Sequence, residues 1–171
     1  FKKQFIIISE NYNKGNYLEA EKLALISNNN FPYNEFILRI LVDIYEKQNK
    51  KREAINTYLQ LIKAAPDDLA AYTNLGILYL QIAQLKKAEE VFRKALELNS
   101  YDFYLQYNLG ITLIDLGKLQ EAELRLKTAN AIDSSHADLQ NKLGFVLYKL
   151  GKIKESELCF KKALDLDPNN Y

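Results

Sequence analysis

Residues 69–102 read LAAYTNLGILYLQIAQLKKAEEVFRKALELNSYD, and this stretch decides the fold. Tyr72, Leu75, Gly76 and Tyr79 fall at i, i+3, i+4 and i+7, one face of a first helix. Leu85, Ala88, Val91, Phe92, Ala95 and Leu96 then trace an apolar stripe along a second helix. Ala83 stands between the two, where the chain must turn.

Working outward, Leu75-Gly76 returns as Leu109-Gly110 and Leu143-Gly144, each 34 residues on. Gly117-Lys118-Leu119 and Gly151-Lys152-Ile153 keep the same step, as do Ala54, Ala88, Ala122 and Ser156, and backward Ala20. Pro32, Pro66 and Pro168 occupy one equivalent place in the first, second and fifth units. The register therefore divides the chain into 1–34, 35–68, 69–102, 103–136 and 137–170 without an insertion, leaving Tyr171 over. A fixed period of this length marks a stack of helical pairs, each burying its apolar face against its neighbours. The turn place holds Gly15, Asn49, Ala83, Gly117 and Gly151, and Gly and Asn accept the left-handed conformation that ends a helix. Asn34, Asp68 and Asp102 precede the next first helix and are expected to cap it. Gly76, Gly110 and Gly144 are expected to let the second helix approach, with Ala88, Ala122 and Ser156 facing them. Tyr58, Phe92, Leu126 and Phe160 would be the large knobs of successive second helices. Ten helices are predicted, in one repeat domain over 1–171.

Composition narrows function more than fold. The 23 basic and 22 acidic side chains balance to a net charge of +1, which argues against nucleic acid, whose binders cluster positive charge. No run of eighteen apolar residues exists, so no membrane insertion is expected, and no signal peptide is read; both point to the cytoplasm. Phe1 is not an initiator methionine, so a fragment of a longer protein is expected. The single Cys159 cannot make an intramolecular disulfide. His136 is the sole histidine, expected to be a solvated cap at a turn, and nothing supplies the third group of a thiol catalytic set. Gly110…Gly117-Lys118 lacks both the spacing and the Ser/Thr of a phosphate loop. No His or Cys cluster offers metal ligands, so neither catalysis nor a cofactor is expected.

The spacing Tyr72-x2-Leu75-Gly76-x2-Tyr79, followed by Ala88, Phe92 and Ala95, resembles the tetratricopeptide repeat. The resemblance covers the chain and is sharpest over 69–170. In the second unit Val42 replaces the glycine and Leu61 the second alanine. In the first, Gln4 takes the aromatic place and Ile8 the glycine place. The resemblance implies an all-α, right-handed superhelical solenoid whose first helices line a concave groove. It also implies a scaffold that binds a protein or peptide ligand.

The groove places are those off the packing stripe: Asn74, Ile77, Leu80, Tyr104, Tyr107, Asn108, Ile111, Asn141, Phe145 and Tyr148. They are apolar and rich in tyrosine, and aromatics anchor interfaces by burying large area at low entropic cost. Tyr104, Tyr107, Phe145 and Tyr148 are the expected hot spot. Asn74 and Asn108, one repeat apart, resemble two rungs of the asparagine ladder in O-linked N-acetylglucosamine transferases. That resemblance makes the substrate-recruiting arm of a larger enzyme the alternative function. The basic carboxylate clamp of chaperone-binding relatives is not matched, since Arg39 is one basic residue where several are needed. A further expectation is self-association through the fifth unit, where Phe160, Leu164 and Leu166 have no following repeat to cover them.

Overall fold

A computed structural model describes residues 2–168, and its helices follow the repeat. The first pair is α1 (Lys2–Asn13) and α2 (Tyr17–Asn30), and the second is α3 (Glu35–Lys47) and α4 (Lys51–Ala64). Next come α5 (Leu69–Gln81) with α6 (Leu85–Leu98), and α7 (Phe103–Asp115) with α8 (Leu119–Ile132). The last pair is α9 (Ala137–Lys149) and α10 (Ile153–Leu166). Among the described residues the fold is all-α, with ten helices and two per repeat, as the period predicts. The predicted register runs into Asn169, Asn170 and Tyr171, which lie outside the described residues. The chain divides into two compact units, Phe1–Leu78 and Tyr79–Tyr171.

The turns have one backbone solution. Gly15, Asn49, Ala83, Gly117 and Gly151 all take positive φ, between 55° and 79°. In α7 the Gly117 N–H donates to the Ile114 carbonyl at 2.9 Å and the Lys118 N–H to Leu113 at 2.8 Å. This crossed pair satisfies carbonyls that the helix end leaves unpaired. The same pair closes α9, with Gly151 to Tyr148 and Lys152 to Leu147. A Cβ built on Gly117 or Gly151 meets nothing within 4 Å, so the requirement is conformational and not steric.

Helix starts are equally local. The carboxylate of Asp68 accepts from the Ala71 N–H at 3.1 Å, and that of Asp102 from Leu105 at 2.9 Å. The Asn34 side chain accepts from Ile37 at 3.3 Å. His136 holds the expected cap position by backbone geometry, although its side chain makes no cap hydrogen bond. Its ring lies 4.4 Å from that of Phe103, stacked at 26°, and meets Asp133 at 3.0 Å.

Within each unit the small and large residues interlock. A Cβ on Gly110 would stand 2.6 Å from Leu126 Cδ2, and one on Gly144 2.8 Å from the Phe160 ring. The two glycines therefore make room for the knob of the facing helix, since real carbon contacts sit near 3.5–4.0 Å. Ser156 takes the alanine place and donates its hydroxyl to the Gly144 carbonyl at 2.8 Å, which satisfies a polar group in a buried position. The first pair reverses the volumes: Ile8 stands in the glycine place and Ala24 in the knob place, and both are fully buried. In the second pair Val42 and Tyr58 are buried, and the Tyr58 hydroxyl escapes to Glu46 at 2.7 Å.

Candidate functional site

The first helices carry the predicted groove residues, which fall in both units. Asn74 and Ile77 lie in the first unit, with Asn74 exposed and Ile77 half-buried. Asn74 joins Arg39, Asp43 and Tyr58 around a recess of about 270 Å³. Arg39 does not offer a free charge there, because its guanidinium meets the Asp68 carboxylate at 2.8 Å and Glu35 at 3.7 Å. Burial and then the neighbouring Glu46 push the Asp43 carboxyl above the usual carboxylate range. Burial and the hydrogen bond to Glu46 push the Tyr58 phenol well above its ordinary value. With its one arginine neutralised and carboxylates around it, this recess is poorly suited to an acidic peptide terminus.

The second unit holds Leu80, Tyr104, Tyr107, Asn108, Ile111, Asn141, Phe145 and Tyr148. Here α7 and α9 are neighbours, and both pack on α8. Their packing stripes, Leu105, Leu109 and Leu113 on α7 with Leu139, Leu143, Val146 and Leu147 on α9, are buried. The helix period then turns the intervening residues outward. Tyr104 is 61% exposed, Tyr148 58% and Phe145 40%, whereas Asn108, Ile111 and Asn141 are half-buried between them. Three open aromatic rings on adjacent helices are more apolar surface than an isolated exposed side chain explains.

Tyr107 plays a different part. Its hydroxyl donates to Oδ2 of Asp138 on α9, and its ring stacks parallel to Phe103 at 5.9 Å. Burial, then that bond and the Asp138 charge, raise its phenol far above the ordinary value. Phe103 in turn meets Tyr104 edge-on at 5.2 Å and His136 face-on. Tyr107 thus ties α7 to α9 and holds the aromatic row in place. Lys149 Nζ lies 5.5 Å from the Phe145 ring, which sets a cation beside the open aromatic surface. The period made the positions of these residues legible. The joining of Tyr107 to Asp138 was not, because it crosses 31 residues.

A set of charged pairs was also missed. Lys118 meets Glu89 at 2.7 Å and Lys152 meets Glu123 at 2.6 Å in the second unit, and Lys50 meets Glu21 at 2.8 Å in the first. The signal was available: Glu89 to Glu123 and Lys118 to Lys152 are each one 34-residue step. Among the described residues no group of three or more His, Cys, Asp or Glu could hold a metal ion. Burial raises the Cys159 thiol, which disfavours the thiolate a nucleophile needs.

The repeated helical pairs, the left-handed turns and the glycine–knob contacts define a tetratricopeptide-type repeat protein. The chain belongs to the tetratricopeptide repeat family, whose sequence patterns match residues 41–103, 91–124 and 137–170. No curated protein sequence matches it. Among solved structures it is similar to "Crystal structure of MamA protein", with a TM-score of 0.86 at 20% identity, covering 98% of this chain and 94% of that one. It is similar also to "MamA 41-end from Desulfovibrio magneticus RS-1", with a TM-score of 0.83 at 18% identity and coverage of 99% and 96%. A third is "Crystal structure of YrrB: a TPR protein with an unusual peptide-binding site", with a TM-score of 0.84 at 18% identity and coverage of 98% and 86%. At these identities the likeness is one of fold. Among the described residues no helix is long and apolar enough to cross a membrane.

Proposed function

We propose that this chain is a protein-interaction scaffold that receives an extended peptide or a partner helix on the α7–α9 face. The observation that carries the reading is the row of open aromatic rings, Tyr104, Phe145 and Tyr148, above a packing stripe that is already filled. Aromatic side chains in such settings dominate binding energy because they bury large area with few torsions to freeze. Ile111 is half-buried on the same helix as Tyr104, and the half-buried amides of Asn108 and Asn141 offer donors and acceptors to a peptide backbone. A related fold described as having an unusual peptide-binding site supports the class of ligand. The ligand is read as apolar, with an acidic group favoured near Lys149 and Lys142.

The test is selection of peptides from a displayed random library against the full chain, followed by titration of the winners. Phe145→Ala or Tyr148→Ala is expected to weaken binding by roughly tenfold or more. Circular dichroism should stay where it is in both variants, and in Tyr148→Ala the unfolding midpoint as well, since that ring is 58% exposed. Peptides that bind the two variants as tightly as the parent would overturn the reading.

A further inference from the structure

The recess beside Asn74 in the first unit carries charges that the repeat itself does not require. Asp43 and Glu46 lie one turn apart on α3. No other repeat has an acid at either place: Asp43 answers to Ser9, Ile77, Ile111 and Phe145, and Glu46 to Tyr12, Leu80, Ile114 and Tyr148. Packing of the helical pair therefore asks for no carboxylate there. The hydroxyl behind them is just as particular, since Phe92, Leu126 and Phe160 stand where Tyr58 does in the later repeats. Tyr58 is 3% exposed and donates to Glu46 Oε1 at 2.7 Å, so a buried phenol fixes one carboxylate in place.

The two charges are also unanswered. Among the described residues neither Asp43 nor Glu46 makes an ion pair, because both nearby cations are engaged elsewhere. Arg39, one turn before Asp43, is held by Asp68 at 2.8 Å, and Asp68 is fixed in turn as the cap of α5 through the Ala71 N–H. Lys47, one turn after Asp43, lies over the Tyr17 ring at 5.9 Å from its centre. Burial and the Glu46 charge accordingly keep the Asp43 carboxyl above the usual range in spite of Lys47. The floor of the recess is apolar and dry, since Val42, Leu61 and Ala71 line it and all three are buried.

We propose that this recess of about 270 Å³ takes a lysine or arginine side chain of a partner protein, its aliphatic stem on Val42, Leu61 and Ala71 and its cationic head at Asp43 and Glu46. Long basic side chains suit such a place, because the stem buries against apolar surface while the charged head keeps polar company. A partner's carboxylate would meet two like charges and an arginine already engaged. An uncharged apolar side chain would fill the floor but leave both carboxylates without a counter-charge. The surface lies wholly within the first unit and does not rest on the reading of the α7–α9 face.

The test titrates the isotope-labelled full chain with the N-acetyl, C-methylamide derivatives of lysine, arginine, norleucine and glutamate, followed by nuclear magnetic resonance. The side-chain amide of Asn74, which borders the recess, is the reporter, and those of Asn108 and Asn141 in the second unit are the references. The lysine and arginine probes should move Asn74 and bind about threefold to tenfold more tightly than norleucine, as for part-exposed ion pairs. Norleucine copies the lysine stem without its ammonium, so the gap reads the charge alone, and it should shrink in high salt. Asp43→Asn with Glu46→Gln should close the gap. Glu46→Gln keeps a carbonyl oxygen for the Tyr58 hydroxyl, which spares the fold; should the double variant still fail to fold, the four probes on the parent chain decide. A norleucine or glutamate probe that binds as tightly as lysine overturns the proposal, as does an Asn74 amide that no probe moves. Equal shifts at Asn74, Asn108 and Asn141 overturn it too, since they mark an effect of charge in solution and not a site.

Discussion

Gly110→Ala and Gly144→Ala are the same substitution at equivalent places, yet the surroundings predict different outcomes. At Gly110 the new Cβ would stand 2.6 Å from Leu126 Cδ2 and 2.8 Å from its Cγ. Leu126 would have to withdraw by about 1 Å to reach ordinary contact, and it is wholly enclosed. Overpacking of this kind costs about 1–3 kcal/mol, against roughly 1 kcal/mol gained from replacing a helical glycine by alanine. Gly110→Ala should therefore destabilise by about 1 kcal/mol, a midpoint loss of about 2–4 °C for a chain of this size. At Gly144 the contacts are with the Phe160 ring, at 2.8, 3.0 and 3.1 Å, and that ring is part-exposed. It can swing aside, so Gly144→Ala should be neutral or stabilising by up to about 1 kcal/mol. Urea unfolding followed by far-ultraviolet circular dichroism measures both. On a Leu126→Ala background the obstruction at Gly110 is gone, and Gly110→Ala should turn stabilising, a coupling of at least about 1 kcal/mol. Equal effects at the two glycines, or no coupling to Leu126, would refute the steric account.

Three further outcomes are expected. Ala83 holds the left-handed turn place with φ of 56°, so Ala83→Gly should raise stability by about 0.5–1 kcal/mol in the same unfolding assay. Asp102→Ala removes the cap on the Leu105 N–H and should cost about 1 kcal/mol, with Asp102→Asn recovering most of it. The third concerns acid. Burial opposes the charge on Glu89, but hydrogen bonds from Lys118 and Arg93 outweigh it; Lys127 and Lys152 act likewise on Glu123, and both carboxyls sit below the usual range. A carboxyl depressed in the folded chain binds protons more readily when unfolded, so its contribution is present above the unfolded value near 4.3 and fades as pH falls through the folded one. The thermal midpoint of the parent should drop on acidification from pH 6 to pH 3, and less steeply in the Glu89→Gln, Glu123→Gln double variant; parallel curves would remove these two residues from the explanation.

What the sequence carries by itself is whatever depends on a few consecutive residues. The 34-residue step, the helix ends at Gly117 and Gly151, and the caps at Asp68 and Asp102 were all legible, because φ and the unpaired ends of a helix are satisfied locally. The glycine–knob contacts were legible too, since the repeat states the same size rule at Gly110 and Gly144. Which groove side chains are engaged was not. Tyr107 and Tyr104 look alike in the sequence, but one bonds to Asp138 and the other stands in solvent. His136 read as a solvated cap and does hold the cap position of α9, but the stacking of its ring on Phe103, 33 residues away in the chain, was not legible. The charged joints likewise needed the packing, which brings Glu89 beside Lys118 and Glu123 beside Lys152 across 29 residues. Only the tertiary structure decides such matters, because burial and partnership belong to the neighbouring repeat and not to the residue. Among the described residues the same repeat position is wholly buried at Leu126 and 38% exposed at Phe160, a contrast that no local pattern carries.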